Sequence, residues 1–327
     1  MMDKKFLKEV LSIPTISKEE ELMREYIIEF AITNGIEYKV DHKGNVYLTK
    51  GSEKMTEGEY YPCVVSHIDT LHFNQKELVE KNERLVIFEK EDRLTAYHPT
   101  TGEETGIGGD DKCGVFVCLS LLDDLPVLKA AFFVEEEIGM LGSKEAIPDF
   151  FEDVGYAIQF DAPSANWITE ICSGVKILDE EFKKKVAPVL KEGGYTNFST
   201  DPFTDVNQLA QKFDFNCLNL GCGYYQQHSV KEYVVIEEVK KSLEMGKLLI
   251  DYLGNEQYIR IKESQKDLLL EMNYNDIPYD SYSDHYDKYA DEIVEVVLKM
   301  DEKGYHPNEI KLEIAELLYN KDILKYD

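Results

Sequence analysis

Four short apolar runs in this chain each lead into a histidine or a carboxylate, and this pattern constrains the fold more than any other feature. Pro62-Cys63-Val64-Val65-Ser66 runs into His67-Ile68-Asp69, and Phe132-Phe133-Val134 into Glu135-Glu136-Glu137-Ile138-Gly139. Ile158-Gln159-Phe160 runs into Asp161, and Cys217–Leu220 precedes Gln226-Gln227-His228-Ser229-Val230-Lys231-Glu232. Apolar runs this short are strands buried on both faces. Asn45–Thr49 and Leu85–Phe88 add two more. Helical spacing marks Cys113–Leu122, Asp179–Lys191, Val206–Lys212 and Ile236–Leu253, alternating with the later strands. Alternating strands and helices predict an α/β fold, a doubly wound and mostly parallel sheet covered on both faces. In such sheets sites form at the carboxyl ends of the strands, where these polar residues fall.

The chain opens as helix, break, helix. Phe6, Leu7, Val10 and Leu11 share one helical face before Pro14, and Ser17 with Glu20 has the form of a capping box ahead of Met23, Tyr26, Ile27 and Phe30. The texture changes after Gly254. Residues 255–327 hold 18 acidic and 9 basic residues and nine of the 21 tyrosines, with amphipathic helices expected over Ala290–Met300 and Glu309–Leu318. The predicted organisation is a catalytic domain over residues 1–254 and an acidic helical extension over 255–327.

Charge excludes several functions. With 64 acidic against 36 basic residues and a net charge of −28, the surface repels nucleic acid and anionic membranes. No apolar run reaches the roughly 18 residues of a membrane span. The six cysteines stand singly without a CxxC pair, which with the absence of a leader-like start predicts a cytoplasmic protein rather than a disulfide framework or a thiolate zinc site.

The polar strand ends call for chemistry rather than solvation. A histidine with a carboxylate two residues on can bind a metal through one ring nitrogen while the carboxylate takes the other N–H, although a histidine at such a position, taken singly as His67, is more often an ordinary one. Asp110 and Asp111 lie in Gly106-Ile107-Gly108-Gly109-Asp110-Asp111-Lys112 at the start of a helix, where capping explains one aspartate more readily than two. The GxxxxGK[ST] order of a phosphate loop is absent. Like charges crowded at a buried strand end, as at Glu135–Glu137, raise one another's pKa unless a cation intervenes. Two histidines and at least three carboxylates suit two zinc, cobalt or manganese ions, with an unliganded glutamate as base.

Taken in order, His67-x-Asp69, Gly-Gly-Asp110-Asp111-Lys112-x-Gly114, Glu136-Glu137-Ile-Gly139, Asp161 and His228-Ser229-x-x-Glu232 resemble the co-catalytic zinc exopeptidase superfamily, most closely peptidase T and related tripeptidases. The lead-in segments Leu11–Ser17 with Glu20 and Asp41–Val46 are similar as well, so the resemblance spans roughly residues 3–253. It implies two Zn2+ ions (Co2+ or Mn2+ in their place), one held by His67 and Asp161, the other by Glu137 and His228, with Asp110 bridging. It further implies Glu136 as general base, Asp69 as the residue orienting His67, and a cis peptide between Asp110 and Asp111. The family's lid or dimerisation domain has no room here, because only 66 residues separate Asp161 from His228. Tyr224 and Tyr225 become candidates for oxyanion stabilisation, packed aromatics being the other reading.

The activity implied is hydrolysis of short peptides, aminopeptidase- or tripeptidase-like, with deacylation of an N-acyl amino acid and a non-catalytic metal-binding scaffold as alternatives. Oligomerisation through the C-terminal helices is a further expectation. Asp205 resembles a family position near the site but is read as a helix cap, and Cys113 is read as a small buried residue under the Asp110 loop. His42, His72, His98, His285 and His306 have no ligand-like spacing.

Overall fold

A computed structural model describes residues 2–201 and 203–261. These fall in the first of two units, Met1–Asp276 and Ile277–Asp327. The helices expected at 290–300 and 309–318, with most of the 255–327 extension, lie outside the described residues. The elements run α1 (Lys4–Leu11), α2 (Glu21–Thr33), β1 (Glu37–Val40), β2 (Val46–Lys50), β3 (Tyr61–His67), α3 (Lys76–Lys81), β4 (Val86–Lys90), β5 (Arg93–Tyr97), β6 (Glu104–Thr105) and α4 (Gly109–Asp124). Then follow β7 (Leu128–Phe133), α5 (Leu141–Lys144), α6 (Pro148–Phe151), β8 (Val154–Ala162), β9 (Trp167–Cys172), β10 (Val175–Lys176), α7 (Glu180–Glu192), β11 (Asn197–Asp201), α8 (Asp205–Lys212), β12 (Asn216–Gly221), β13 (Tyr224–Tyr225), β14 (Tyr233–Val235) and α9 (Ile236–Leu253).

The larger sheet has the order β1-β2-β7-β3-β8-β12-β9-β10, with β11 beside β9. Its centre, β7-β3-β8-β12, is parallel. These are the apolar runs: every residue of β3, β7 and β12 is buried, as two-sided cover requires. β11 runs parallel to β9, but the other flanking pairs are antiparallel, so the parallel centre sits in a mixed sheet. Two of these pairings follow from short connections, because a tight turn can only reverse a strand. β1 and β2 are joined through Asp41–Asn45, where Gly44 has φ 102°, and β9 and β10 through Ser173-Gly174. A second, antiparallel sheet has the order β13-β14-β5-β4, with β6 beside β5. The Leu85–Phe88 run therefore belongs to this smaller sheet, not to the central one.

Helix α4 is buried from Gly109 to Leu119, because it packs on β3, β7 and β8 beneath α1 and α9. Helix α8 packs against β3, β8 and β12 and also meets α5. Every described element between Asp161 and His228 is part of the sheets or packs on them. The packed body continues past Gly254: Phe215 bridges Ile259, and buried Arg260 donates to the Lys176 and Ala210 carbonyls.

Register brings the polar strand ends level. His67 pairs with Phe133, so β3 and β7 finish together. Val65 pairs with Gln159, which sets His67 beside Asp161 two residues on.

Candidate metal centre

His67 is fully buried at the end of β3. Its Nδ1 lies 3.1 Å from the Asp69 main-chain carbonyl and 3.4 Å from Asp69 Oδ1. A carbonyl can only accept, so Nδ1 carries the hydrogen in that contact. The Asp69 carboxylate has a second task. Its Oδ1 accepts the Glu136 N–H at 2.9 Å, and its Oδ2 accepts the Glu137 N–H at 3.3 Å and the Ser17 hydroxyl at 2.7 Å. Ser17 is therefore no helix cap. The expected capping box does not form, since α2 begins at Glu21 and the Glu20 carboxylate accepts the Lys18 N–H instead.

The chain leaves β7 through Glu135, whose φ of 53° is left-handed. Glu135 is drawn away to Lys43, 2.9 Å off, and only Glu136 and Glu137 enter the site.

The Gly106–Lys112 loop is held from several sides. Glu232, itself buried, accepts the Gly108 N–H at 2.8 Å on one oxygen and the Asp110 N–H at 3.1 Å on the other. Asp111 accepts the Ser66 hydroxyl at 2.6 Å, the His67 N–H at 3.3 Å and the Gly114 N–H at 3.1 Å. A Cβ at Gly114 would come within 2.4 Å of that carboxylate. Lys112 is buried and donates to the Leu11 and Ile13 carbonyls at 2.8 and 3.0 Å, tying the loop to the end of α1. The Asp110–Asp111 peptide is cis.

Asp161 is fixed by both backbone and side chain. Asn219 accepts its N–H at 3.0 Å and donates to its carbonyl at 2.8 Å. Gln159 donates to Asp161 Oδ2 at 3.1 Å, while its own oxygen accepts from the Thr204 hydroxyl and the Val206 N–H at the start of α8. Tyr224 donates to Asp161 Oδ1 at 3.3 Å, whereas Tyr225 turns away and donates to Glu238 at 2.8 Å. Of the two tyrosines, only Tyr224 reaches the site. His228 sits in the β13–β14 turn at φ 60° and is partly exposed.

These segments form two clusters that share Asp110: His67, Asp110 and Asp161, and Asp110, Glu137 and His228, with one donor atom from each residue within 4.8 Å of the others. His67 Nε2 lies 3.1 Å from Asp110 Oδ1 and 3.5 Å from Asp161 Oδ1. His228 Nε2 lies 3.2 Å from Asp110 Oδ2 and 3.1 Å from Glu137 Oε2. Glu136 Oε2 stands 4.0 Å from His67 Nε2. Glu136 and Glu137 each keep a buried Oε1 with no hydrogen-bond partner.

Burial and crowding disturb the protonation of all these groups. Burial opposes charge on His67, but Asp161, Asp110 and Asp69 together hold it well above its usual range. Burial also opposes charge on Asp110, yet His228 and His67 keep it below the usual carboxylate range. Burial pushes Glu136 well up, and with the Asp110 charge it lifts Glu137 to about 8. Burial raises Asp161 to about 6. Nitrogen and oxygen donors in two shared triads, with orphaned carboxylate oxygens between them, fit a pair of borderline divalent cations.

Several residues were not legible beforehand. Asp205 is not a cap: Thr204 holds that position, and both Asp205 carboxylate oxygens are buried without hydrogen-bond partners, which raises its pKa to about 7. Gln159, Asn219 and His72 carried no motif. His72 Nε2 meets Glu232 Oε2 at 2.5 Å, and a Cβ at Gly106 would strike its ring.

No family model matches the chain, and no curated protein matches it by sequence. Solved structures do. An aminopeptidase PepT from Bacillus cereus aligns with a TM-score of 0.57 at 15% identity, covering 76% of this chain and 96% of its own. A tripeptidase from Staphylococcus aureus aligns at 0.56 and 14%, covering 75% and 96%. The TET1 peptidase of Pyrococcus horikoshii, which can assemble into a tetrahedron or a large octahedral shell, aligns at 0.54 and 17%, covering 75% and 98%. The chain thus has the α/β fold of the peptidase T-like exopeptidases, the group its ordered motifs resemble.

Proposed function

We propose that this chain is a zinc-dependent exopeptidase that hydrolyses the amide bond of short peptides, acting as an aminopeptidase or tripeptidase. The observation that carries the reading is the pair of three-residue clusters joined through Asp110, with the unpartnered oxygen of Glu136 beside them. His67, Asp161 and Asp110 would hold one ion, and Glu137, His228 and Asp110 the other. Zinc, or cobalt or manganese in its place, supplies a Lewis acid for the amide carbonyl and brings the pKa of water to about 7.

The protein's own groups do the rest. Glu136 takes the proton from the attacking water and delivers it to the leaving amine, and its burial suits it to hold that proton in between. Asp69 keeps the Glu136 and Glu137 backbone in place through its two oxygens. The Tyr224 hydroxyl, which donates to Asp161 in the structure, would redirect that hydrogen to the developing oxyanion. Cys63, Cys113, Cys118, Cys217 and Cys222 are buried thiols outside any disulfide, which fits the cytoplasmic location proposed here. Among the described residues no helix is long and apolar enough to cross a membrane.

Metal analysis of the purified protein, paired with hydrolysis of amino-acyl anilides, di- and tripeptides and N-acyl amino acids, tests the reading. Two ions per chain and cleavage of substrates with a free N-terminus are expected. Cleavage confined to N-acyl amino acids moves the assignment to a deacylase. Stoichiometry well below two in zinc-replete buffer removes the bimetal site.

A further inference from the structure

We infer that Glu232 and His72 are positioning residues, a clamp that holds three ligand-bearing segments in register around Asp110. The inference rests on the metal reading above. Glu232 stands four residues after His228, and its N–H closes the turn onto the Ser229 carbonyl at 3.2 Å. Its carboxylate then leaves that turn and takes the Gly108 and Asp110 amides, at 2.8 and 3.1 Å. His72 lies five residues after His67, on the loop leaving β3, and meets Glu232 Oε2 at 2.5 Å. One buried carboxylate therefore touches the segments that carry His67, Asp110 and His228.

The geometry leaves little play. His72 occupies the space that a side chain at Gly106 would fill, with its ring atoms 1.9–2.3 Å from a Cβ built there. The Glu232 side chain has no exposed surface, and the Gly108 and Asp110 amides and the His72 ring occupy its two oxygens. Asp110 belongs to both clusters, so displacement of its backbone disturbs both at once. Partners of metal ligands commonly change metal affinity or activity by about 10–100-fold when removed.

The test uses the full chain carrying Glu232→Gln, His72→Gln or His72→Ala. An amide in place of the carboxylate turns an NH2 toward the Gly108 or the Asp110 N–H, leaving that donor unpaired. Zinc titration of the metal-free protein, well below its unfolding temperature, should show the weaker binding step loosened about 10–100-fold in Glu232→Gln. Hydrogen exchange at Gly108 and Asp110 in the metal-free protein should accelerate by tenfold or more. In peptide hydrolysis kcat should fall at least tenfold while KM moves less than threefold. His72→Gln, which can still donate to Glu232, should recover most of what His72→Ala loses. Unchanged zinc affinity and amide exchange in Glu232→Gln, or a lowered Tm alone, overturns the clamp while leaving the metal reading intact. Wild-type protein that takes up no zinc overturns both.

Discussion

Asp69 Oδ1 accepts the backbone N–H of Glu136 at 2.9 Å, so the residue expected to orient His67 also sets the position of the proposed base. The two jobs share one carboxylate, and Asp69→Asn separates them. The main-chain carbonyl still meets His67 Nδ1, but an NH2 now faces the Glu136 or Glu137 N–H or the Ser17 hydroxyl. A buried donor left unpaired costs about 1–3 kcal/mol. The expected result is a kcat lower by about 10–100-fold with zinc stoichiometry retained. Steady-state kinetics with metal analysis decides, and wild-type kcat in this variant would refute the placement of Glu136 by Asp69.

Glu136→Gln keeps the shape of the base and removes its proton affinity. General-base catalysis is worth about 10²–10⁴-fold, so kcat should fall by that factor while KM stays within about threefold. Zinc content should not change, because Glu136 belongs to neither donor triad. Full activity in this variant would end its assignment as base.

Tyr224→Phe and Tyr225→Phe form a matched pair, since the two hydroxyls point to different partners. Tyr224 reaches Asp161 and Tyr225 reaches Glu238. Loss of a single oxyanion donor lowers kcat by up to about 10²–10³-fold, so Tyr224→Phe should show at least a tenfold loss and Tyr225→Phe less than twofold. Equal effects on kcat would remove Tyr224 from the mechanism.

The central strands and the proposed ligands were legible because both leave a one-dimensional trace. β3, β7 and β12 are buried on two faces and so read as apolar runs, and a polar residue that stops such a run has few other uses. The supporting shell leaves no such trace. Glu232 and His72 are 160 residues apart, and Asn219 and Asp161 are 58 apart. Their contacts are made by sheet order, which periodicity does not record. Ser17 misled because a Ser-x-x-Glu spacing is shared by a capping box and by a serine that reaches across the fold to Asp69. The antiparallel flanks were hidden for a related reason. β1 lies at the edge of the larger sheet and is exposed throughout, so it has no apolar run to show.

Glu20 gives a pH prediction whose sign can be worked out. Burial lifts its pKa from 4.5 to about 7, with the Lys18 amide opposing and Asp69 adding to the rise. The folded state therefore holds a proton that the unfolded chain releases between about pH 4.5 and 7. Through that window this group's contribution to stability falls as pH rises, and it levels off above. Glu20→Gln keeps the acceptor for the Lys18 N–H but cannot ionise. Denaturant titrations from pH 4 to 8 should show the variant gaining on the wild type across the window, by about 1–2 kcal/mol after discounting for solvent screening. A constant difference between the two curves would show that Glu20 titrates in the folded protein as it does in the unfolded chain.

Arg260 tests where the packed body ends. Its guanidinium donates to the Lys176 and Ala210 carbonyls, its N–H donates to the Asp214 carbonyl at 2.7 Å, and the neighbouring Tyr258 ring packs on Tyr156 and Phe182. Hydrogen bonds from a charged donor contribute about 1.5–3 kcal/mol each. Arg260→Met keeps the apolar stem and abandons both carbonyls, so it should cost about 2–4 kcal/mol. That corresponds to a fall in Tm of roughly 4–16 °C for a domain of this size. A chain ending at Gly254 loses these contacts together with the Tyr258 rings and the Phe215–Ile259 bridge, and should fall further still. Thermal unfolding of the two variants beside the full chain measures this. If the chain ending at Gly254 melts with the full chain, residues 255–261 are not part of the body on which the metal centre stands.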